Sequence, residues 1–279
     1  MTNELQNKVF HDEAKARKWL ETHLWPDGPV CAHCGSVNNA TAIETRPGLW
    51  QCNEPECRKQ FTVTVGTLFE RSHIPLNKWL MAAFLICASK KGISALQMSR
   101  MLGVSYKSTW FMMHRIREAM REGTVPGGLG GQNKVIEADE TYVGGKAKNR
   151  AYKPEPKKYI VMTLVERDGA ARSFHVKDAT AKTLSETARK VASRKSYLMT
   201  DENVSYTTLG KEFSGHGTVN HSADEYVRLG GFIHTNTVEN YFSIFKRGIY
   251  GTFHHISEQH LDRYLAEFPL QQPQRPWGQ

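Results

Sequence analysis

The sequence predicts an α/β protein in which a mixed sheet with packed helices follows a small cysteine-rich module and a helical region. Four of the five cysteines stand in two close pairs near the N-terminus, CAHC and CNEPEC. A glycine-rich stretch, GTVPGGLGGQNK, divides the 279 residues near their middle. After this stretch, segments typical of strands alternate with helical segments, as in a sheet with helices packed on it.

The composition indicates a globular protein and favours a polyanionic partner. Hydrophobic residues make up 39% of the chain, which is typical of folded proteins. The formal net charge is +9, and a surplus of this size favours nucleic acid, although a merely basic soluble protein would have it too. No run approaches the ~20 apolar residues of a membrane-crossing helix. The polar N-terminus does not resemble a signal peptide, so we expect a cytoplasmic protein with no membrane partner.

The sequence predicts an N-terminal helical segment, residues 1–24, with the helix itself at 4–24. Apolar residues recur among charged ones in this stretch, as on the buried face of a surface helix. The following WPDGPVCAHCG contains two prolines and two glycines, which end the helix.

Residues 25–66 predict a zinc ribbon with short strands such as FTVTV. Two close cysteine pairs can bring four thiolates to one tetrahedral ion, and in a reducing compartment such pairs favour metal over disulfides. The expected ligands are Cys31, Cys34, Cys52 and Cys57. Four thiolates complete the shell, so this Zn²⁺ would be structural, with His33 outside it. The alternative is four unrelated buried thiols.

Residues 70–122 predict a helix-turn-helix DNA-binding region. After an apolar helix, SALQMSRML and YKSTWFMMHRIREAM are separated by a turn at Gly103. The N-terminal end of a recognition helix meets bases and phosphates. The expected DNA contacts are therefore Tyr106, Lys107, Ser108, Thr109 and Arg115, with Arg117 also able to reach the backbone. The alternative is an ordinary helical hairpin that binds nothing.

The sequence predicts a glycine-rich linker at residues 123–133 and the α/β domain at residues 134–268. Three strands, KVIEADETYVGG, KKYIVMTLVERDG and ARSFHVKD, precede a helix, TAKTLSETARKVAS. A fourth strand, KSYLMTDE, and a helix, HTNTVENYFSIFKR, follow. Residues 269–279 contain three prolines and predict an irregular tail.

Three carboxylates in the α/β domain are candidates for a catalytic site. Asp139 lies within a predicted strand, where an unpaired acid is costly. Asp201 ends another strand, a common position for site residues in α/β sheets. Glu239 begins the last predicted helix. Each has an ordinary alternative, namely a solvated strand face, a turn, and a capping box with Asn236.

Taken together, the three acids have the chemistry of a site for two divalent cations. Hard cations prefer oxygen ligands, and paired metal ions support phosphodiester chemistry. Lys246 lies two helical turns after Glu239 on the same face, where it could contact DNA. Glu137 and Glu202 are the acids most easily mistaken for members of this set.

The order of these parts resembles the DDE insertion-sequence transposases of the ISXO type, over roughly residues 20–268. The matching stretches are CAHCG with CNEPECRKQF, GTLFERSHIPLNKW, ADETYVGGK, LMTDE and HTNTVENYFSIFKRGIYGTFHHIS. The resemblance implies a ribonuclease-H-like catalytic domain. It also implies that Asp139, Asp201 and Glu239 form the catalytic triad, followed by Lys246 as an extra basic residue.

The resemblance further implies cleavage at element ends and strand transfer with Mg²⁺ or Mn²⁺, by a homo-oligomer on DNA. The basic segment 146–158 follows the Asp139 strand, and we expect Lys146, Lys148 and Arg150 to line DNA near the active site, the alternative being a solvated loop. The family usually ends in an Arg-Tyr-Asn-like stretch that this chain replaces with PLQQPQRPWGQ, so we expect reduced function. The rivals are a DNA-binding regulator with an inactive second half, and a nuclease or resolvase without strand transfer.

Overall fold

A computed structural model describes residues 4–122, 128–145, 156–219 and 227–268. The chain forms two compact units, one of residues 1–86 with 95–119 and one of residues 87–94 with 120–279. Part of the predicted linker, the predicted irregular tail, and the predicted DNA contacts Lys146, Lys148 and Arg150 lie outside the described residues.

The first unit begins with two short 3₁₀ turns, Glu4–Gln6 and Lys8–Phe10, followed by helix α1, Glu13–Leu24. The prediction of one helix over 4–24 is therefore wrong in its first half. Asp12 starts α1 afresh, because its Oδ1 accepts hydrogen bonds from the N–H groups of Ala14 (2.9 Å) and Lys15 (3.1 Å). Such a cap fixes an extended backbone at the capping residue, which interrupts the helix before it.

Three short antiparallel strands follow, β1 (Ala40–Ala42), β2 (Trp50–Cys52) and β3 (Gln60–Phe61), with β2 in the middle. The predicted strand FTVTV is wrong beyond Phe61. The backbone turns there, with the N–H of Val65 bonded to the carbonyl of Thr62 at 3.2 Å.

Helices α2 (Leu76–Ala88), α3 (Ala95–Leu102) and α4 (Tyr106–Glu122) are found where the sequence predicts helices. Gly103 has a φ of 61°, a value that glycine adopts without strain, and it forms the turn between α3 and α4. The fully buried side chains of these helices include Trp79, Met98, Met112 and Met113.

The second unit contains a five-stranded mixed sheet. Its strands are β4 (Val135–Gly144), β5 (Lys158–Glu166), β6 (Ala171–Val176), β7 (Tyr197–Thr200) and β8 (Gly215–Thr218). Their order is β6-β5-β4-β7-β8. β5 is antiparallel to both of its neighbours, whereas β4, β7 and β8 are parallel. The predicted mixed α/β architecture is confirmed, and β8 is an addition to it.

The helices of this unit pack on both faces of the sheet. They are α5 (Ala181–Val191), α6 (Thr207–Gly210), α7 (Asn236–Arg247) and α8 (Glu258–Glu267). Ile136 and Ala138 of β4 belong to the core formed with α5, and Val143 belongs to the core formed with α7 and α8. Because side chains alternate along a strand, Glu137 and Asp139 lie on the α7 face.

No helix in the described parts of the chain combines the length and apolar character needed to cross a membrane.

Candidate active site and zinc centre

The four paired cysteines form a compact metal-binding cluster, as predicted. All four Sγ atoms lie within 4.8 Å of one another. The first knuckle turn holds Cys31 and Cys34, and the second holds Cys52 and Cys57. Between the two turns, the Sγ atoms lie 3.8 Å apart for Cys31 and Cys57 and 3.6 Å apart for Cys34 and Cys52. Four thiolates at this spacing match a tetrahedral Zn²⁺ site with no open position. The structure therefore supports a structural zinc.

The knuckle turns that present these thiols are fixed locally. The N–H of Gly35 bonds to the carbonyl of Cys31 at 2.8 Å, and the N–H of Cys57 bonds to the carbonyl of Glu54 at 3.0 Å. The Glu54 carboxylate bridges the knuckles by accepting hydrogen bonds from Asn39 (2.7 Å) and Ser36 (3.0 Å). These two bonds lower the pKa of Glu54.

His33 is not part of the cluster. Its Nε2 lies 3.2 Å from the carbonyl oxygen of Gln60, and the side chain is exposed. The prediction that it stays outside the ligand shell agrees with this position.

Asp139 and Asp201 come from neighbouring parallel strands. Asp139 lies within β4 and is half-buried, and Asp201 directly follows β7. In the register of these strands Glu137 is paired with Met199. This is the last pair of the ladder, and it lies two residues before each of the two aspartates.

The electrostatic environment of Asp139 links it to the other acids. Burial, followed by the negative charges of Asp201, Glu140 and Glu239, raises the pKa of Asp139 to about 7. Asp139 therefore lies within electrostatic range of Asp201, Glu140 and Glu239. They are spread more widely than the thiols, because among the described residues only the cysteines form a group of three or more potential ligands within 4.8 Å.

Glu239 lies in the first turn of α7 and is exposed. Its Oε1 accepts a hydrogen bond from the Thr235 hydroxyl at 2.9 Å. The alternative in which Glu239 forms a capping box with Asn236 is wrong, because Asn236 is already helical and Thr235 is the N-cap residue. The N–H groups of Thr237 and Val238 bond instead to Glu137.

Two further acids of β4 bind neighbouring elements. Glu137 is fully buried and pairs with Arg167, whose Nε lies 2.6 Å from its Oε1. Glu140 accepts 2.6 Å hydrogen bonds from Asn203 and from the Tyr206 hydroxyl. Sequence reasoning missed both roles, because these partners lie 30 to 66 residues away in the chain.

The Glu140 contacts hold the segment that follows Asp201. The N–H of Asn203 also bonds to Asp201 Oδ1 at 3.1 Å, so Asn203 connects the two acids. Burial, followed by the charge of Asp201, raises the pKa of Glu140. Lys246 lies half-buried in the last turn of α7, seven residues after Glu239.

The predicted DNA contacts at the start of α4 differ in accessibility. Tyr106 and Lys107 are exposed, and Ser108 is half-buried. Thr109 is fully buried, and so is Arg117. Helical spacing turns both side chains toward the core, and their contact with DNA stays a prediction. Arg115 lies 5.5 Å from the centroid of the Trp79 ring and donates a 3.0 Å hydrogen bond to the Glu70 carbonyl.

Comparisons with known proteins agree with this architecture. The profile of the transposase zinc-ribbon domain of the IS1595 group matches residues 11–60. The profile of the ISXO2-like transposase domain matches residues 129–271, just over half of the chain. The chain is also 26% identical over 295 aligned positions to an uncharacterized protein in transposable element ISH50 of Halobacterium salinarum, covering 94% of this chain and 92% of the relative. The protein therefore belongs to the ISXO2-like transposase family of insertion sequences.

Proposed function

We propose that this transposase cuts DNA at the ends of its insertion sequence and joins those ends to a target, using Asp139, Asp201 and Glu239 as the catalytic triad. The observation that supports this most is the environment of Asp139. A carboxyl group whose pKa is raised to about 7 by burial and by neighbouring acids is costly to ionise unless a cation joins it.

The donor set fits hard divalent cations. All three candidates are carboxylates, and Mg²⁺ and Mn²⁺ prefer oxygen ligands. Bound ions of this kind would activate the attacking oxygen and stabilise the leaving oxygen at a phosphodiester bond. Asp139 comes from β4, Asp201 follows the neighbouring strand β7, and Glu239 comes from α7. In this proposal the second unit has a ribonuclease-H-like fold.

The remaining parts would hold the DNA. Lys246 can offer its ammonium group to a phosphate near the triad. Tyr106, Lys107 and Ser108 would contact the element end, whereas Lys146, Lys148 and Arg150 would line DNA near the triad. Phosphate contacts of this kind make binding weaken steeply with salt. Two further points stay predictions: that the protein forms a homo-oligomer on DNA, and that residues 269–279 reduce its activity.

The experiment uses the full chain, a duplex with the insertion-sequence end, and Mg²⁺, and follows end binding, cleavage and joined products separately. Asp139→Asn, Asp201→Asn and Glu239→Gln should each lower cleavage by at least about a hundredfold, because each replaces a carboxylate that would hold a divalent cation at the reacting phosphate. End binding should stay within about twofold, a change of less than 1 kcal/mol.

Glu202→Gln is the matched control, because Glu202 adjoins Asp201 but is exposed, and it should cleave normally. Cleavage without joined products would identify a nuclease or resolvase. End binding by the unaltered chain without cleavage would identify a DNA-binding regulator. Full cleavage by any of the three variants would remove that residue from the triad.

A further inference from the structure

We infer that Glu137 is a positioning residue, which fixes the start of α7 on β4 and thereby places Glu239 beside Asp139. The inference rests on the proposed function, since it matters only if these two carboxylates act together. It is based on contacts that join β4, α7 and the turn after β5.

Glu137 caps α7 from another element. Its Oε2 accepts hydrogen bonds from the N–H groups of Thr237 (2.8 Å) and Val238 (3.0 Å), and its Oε1 accepts one from the Thr237 hydroxyl (2.9 Å). The first N–H groups of a helix have no partners within it. A carboxylate there also interacts favourably with the helix dipole. The helix start is thus tied to a strand residue 100 positions earlier.

Arg167 fixes the segment that leads into α7. Its Nε donates to Glu137 Oε1 at 2.6 Å, and its two terminal nitrogens donate to the carbonyls of Phe232 (2.7 Å) and His234 (3.0 Å). His234 Nδ1 lies a further 3.2 Å from Glu137 Oε1. One carboxylate and one guanidinium therefore hold both the approach to the helix and its first turn.

Burial makes this arrangement rigid. The Glu137 side chain is fully buried, and Arg167 is 18% exposed. A buried carboxylate is tolerated only when its oxygens are paired, so other orientations of α7 would leave the charge without its hydrogen bonds. Asp139 lies two residues after Glu137 on the same face of β4. Glu239 lies two residues after Thr237. The contact between Glu137 and Thr237 therefore joins the strand that carries Asp139 to the helix that carries Glu239.

The test substitutes Glu137→Gln in the full chain. An amide cannot accept bonds from all of these donors, so hydrogen exchange at the Thr237 and Val238 amides should accelerate at least about tenfold. The Mg²⁺ concentration for half-maximal cleavage should rise about 10- to 100-fold, as for residues that orient metal ligands, with end binding unchanged. Glu212→Gln, which removes a Glu–Arg pair with Arg189, should change neither quantity.

Thr237→Ala is a milder variant, because it removes one hydroxyl bond to Glu137 and keeps both backbone bonds. It should move both quantities in the same direction by a smaller factor. If Glu137→Gln accelerates exchange but leaves the Mg²⁺ dependence unchanged, Glu137 only stabilises the fold and the inference is wrong. The inference also fails if exchange is unchanged, or if both variants prevent folding.

Failure of the proposed function gives a different result. In that case the unaltered chain would not cleave DNA with Mg²⁺, while the exchange effect of Glu137→Gln would still be observed.

Discussion

The cysteine cluster and the carboxylate set are both candidate metal sites, but the chain builds them in different ways. The four thiols come from two knuckle turns, with Cys31 and Cys57 only 26 residues apart, and their Sγ atoms all lie within 4.8 Å. The carboxylates come from β4, from the residue after β7, and from α7. Their relative positions depend on strand register and on helix packing, so they are tertiary features.

This difference determines what each site needs. The thiol cluster is complete from short turns and has a closed ligand shell, so its metal stabilises the ribbon. The carboxylates form no group as tight as the thiols, and Asp139 is disfavoured as an anion by burial and by the charges of the acids around it. Their geometry is supported from outside, by Glu137 at α7 and by Glu140 at the segment after Asp201.

The largest expected effect is the loss of zinc and of the folded ribbon when a cysteine of the cluster is substituted. Cys52→Ser should abolish zinc binding and unfold residues 25–66, because structural zinc supplies about 10 kcal/mol or more of folding free energy in such modules. Zinc content and proteolysis of the ribbon measure this. Cys87→Ser is the control, since Cys87 lies on α2 outside the cluster. Retention of zinc by Cys52→Ser would contradict the assignment.

A smaller effect on stability is expected when Asp139 is substituted in the absence of divalent ions. The pKa of Asp139 in the folded state is raised to about 7, above its ordinary value of about 4. The stability that this group contributes is therefore present at low pH and is lost as the pH rises through about 7. Asp139→Asn does not titrate, so it should raise the free energy of unfolding above pH 7, by up to about 4 kcal/mol.

Denaturant unfolding in EDTA-treated, zinc-reloaded protein at pH 5 and pH 8 measures this change. Asp178→Asn is a control of opposite sign, because the Thr180 hydroxyl, followed by Thr183, lowers the pKa of Asp178 to about 2. That variant should be less stable than the unaltered chain at both pH values. An Asp139→Asn variant that loses stability at pH 8 would contradict the electrostatic account.

Local patterns in the sequence predicted the local features. Cysteine spacing indicated the thiol cluster, and strand-like segments of the sequence indicated strands β4 to β7. Two of the errors were the continuous helix over 4–24 and the missed strand β8, where a side-chain cap or pairing with another strand decides the structure. Asp12 divides the N-terminal helix, and β8, with the sequence GHGT, has little strand propensity of its own and pairs because β7 lies beside it.

The candidate site shows the same limit. The three carboxylates were chosen from their positions in predicted elements, but the role of Glu137 depends on Arg167 and Thr237, which no local pattern connects to it. Thr109 and Arg117 were expected to face DNA from their positions in the second helix of the helix-turn-helix, whereas packing of α4 buries both.

The most direct test of the central claim is a crystal structure of the protein soaked in Mn²⁺, with the metal located by its anomalous scattering. We expect Mn²⁺ bound between Asp139 and Asp201, with Glu239 facing the same site, and no Mn²⁺ among the four cysteines. Mn²⁺ absent from Asp139 and Asp201 at a concentration that supports cleavage would contradict the assignment of these carboxylates as the catalytic metal site.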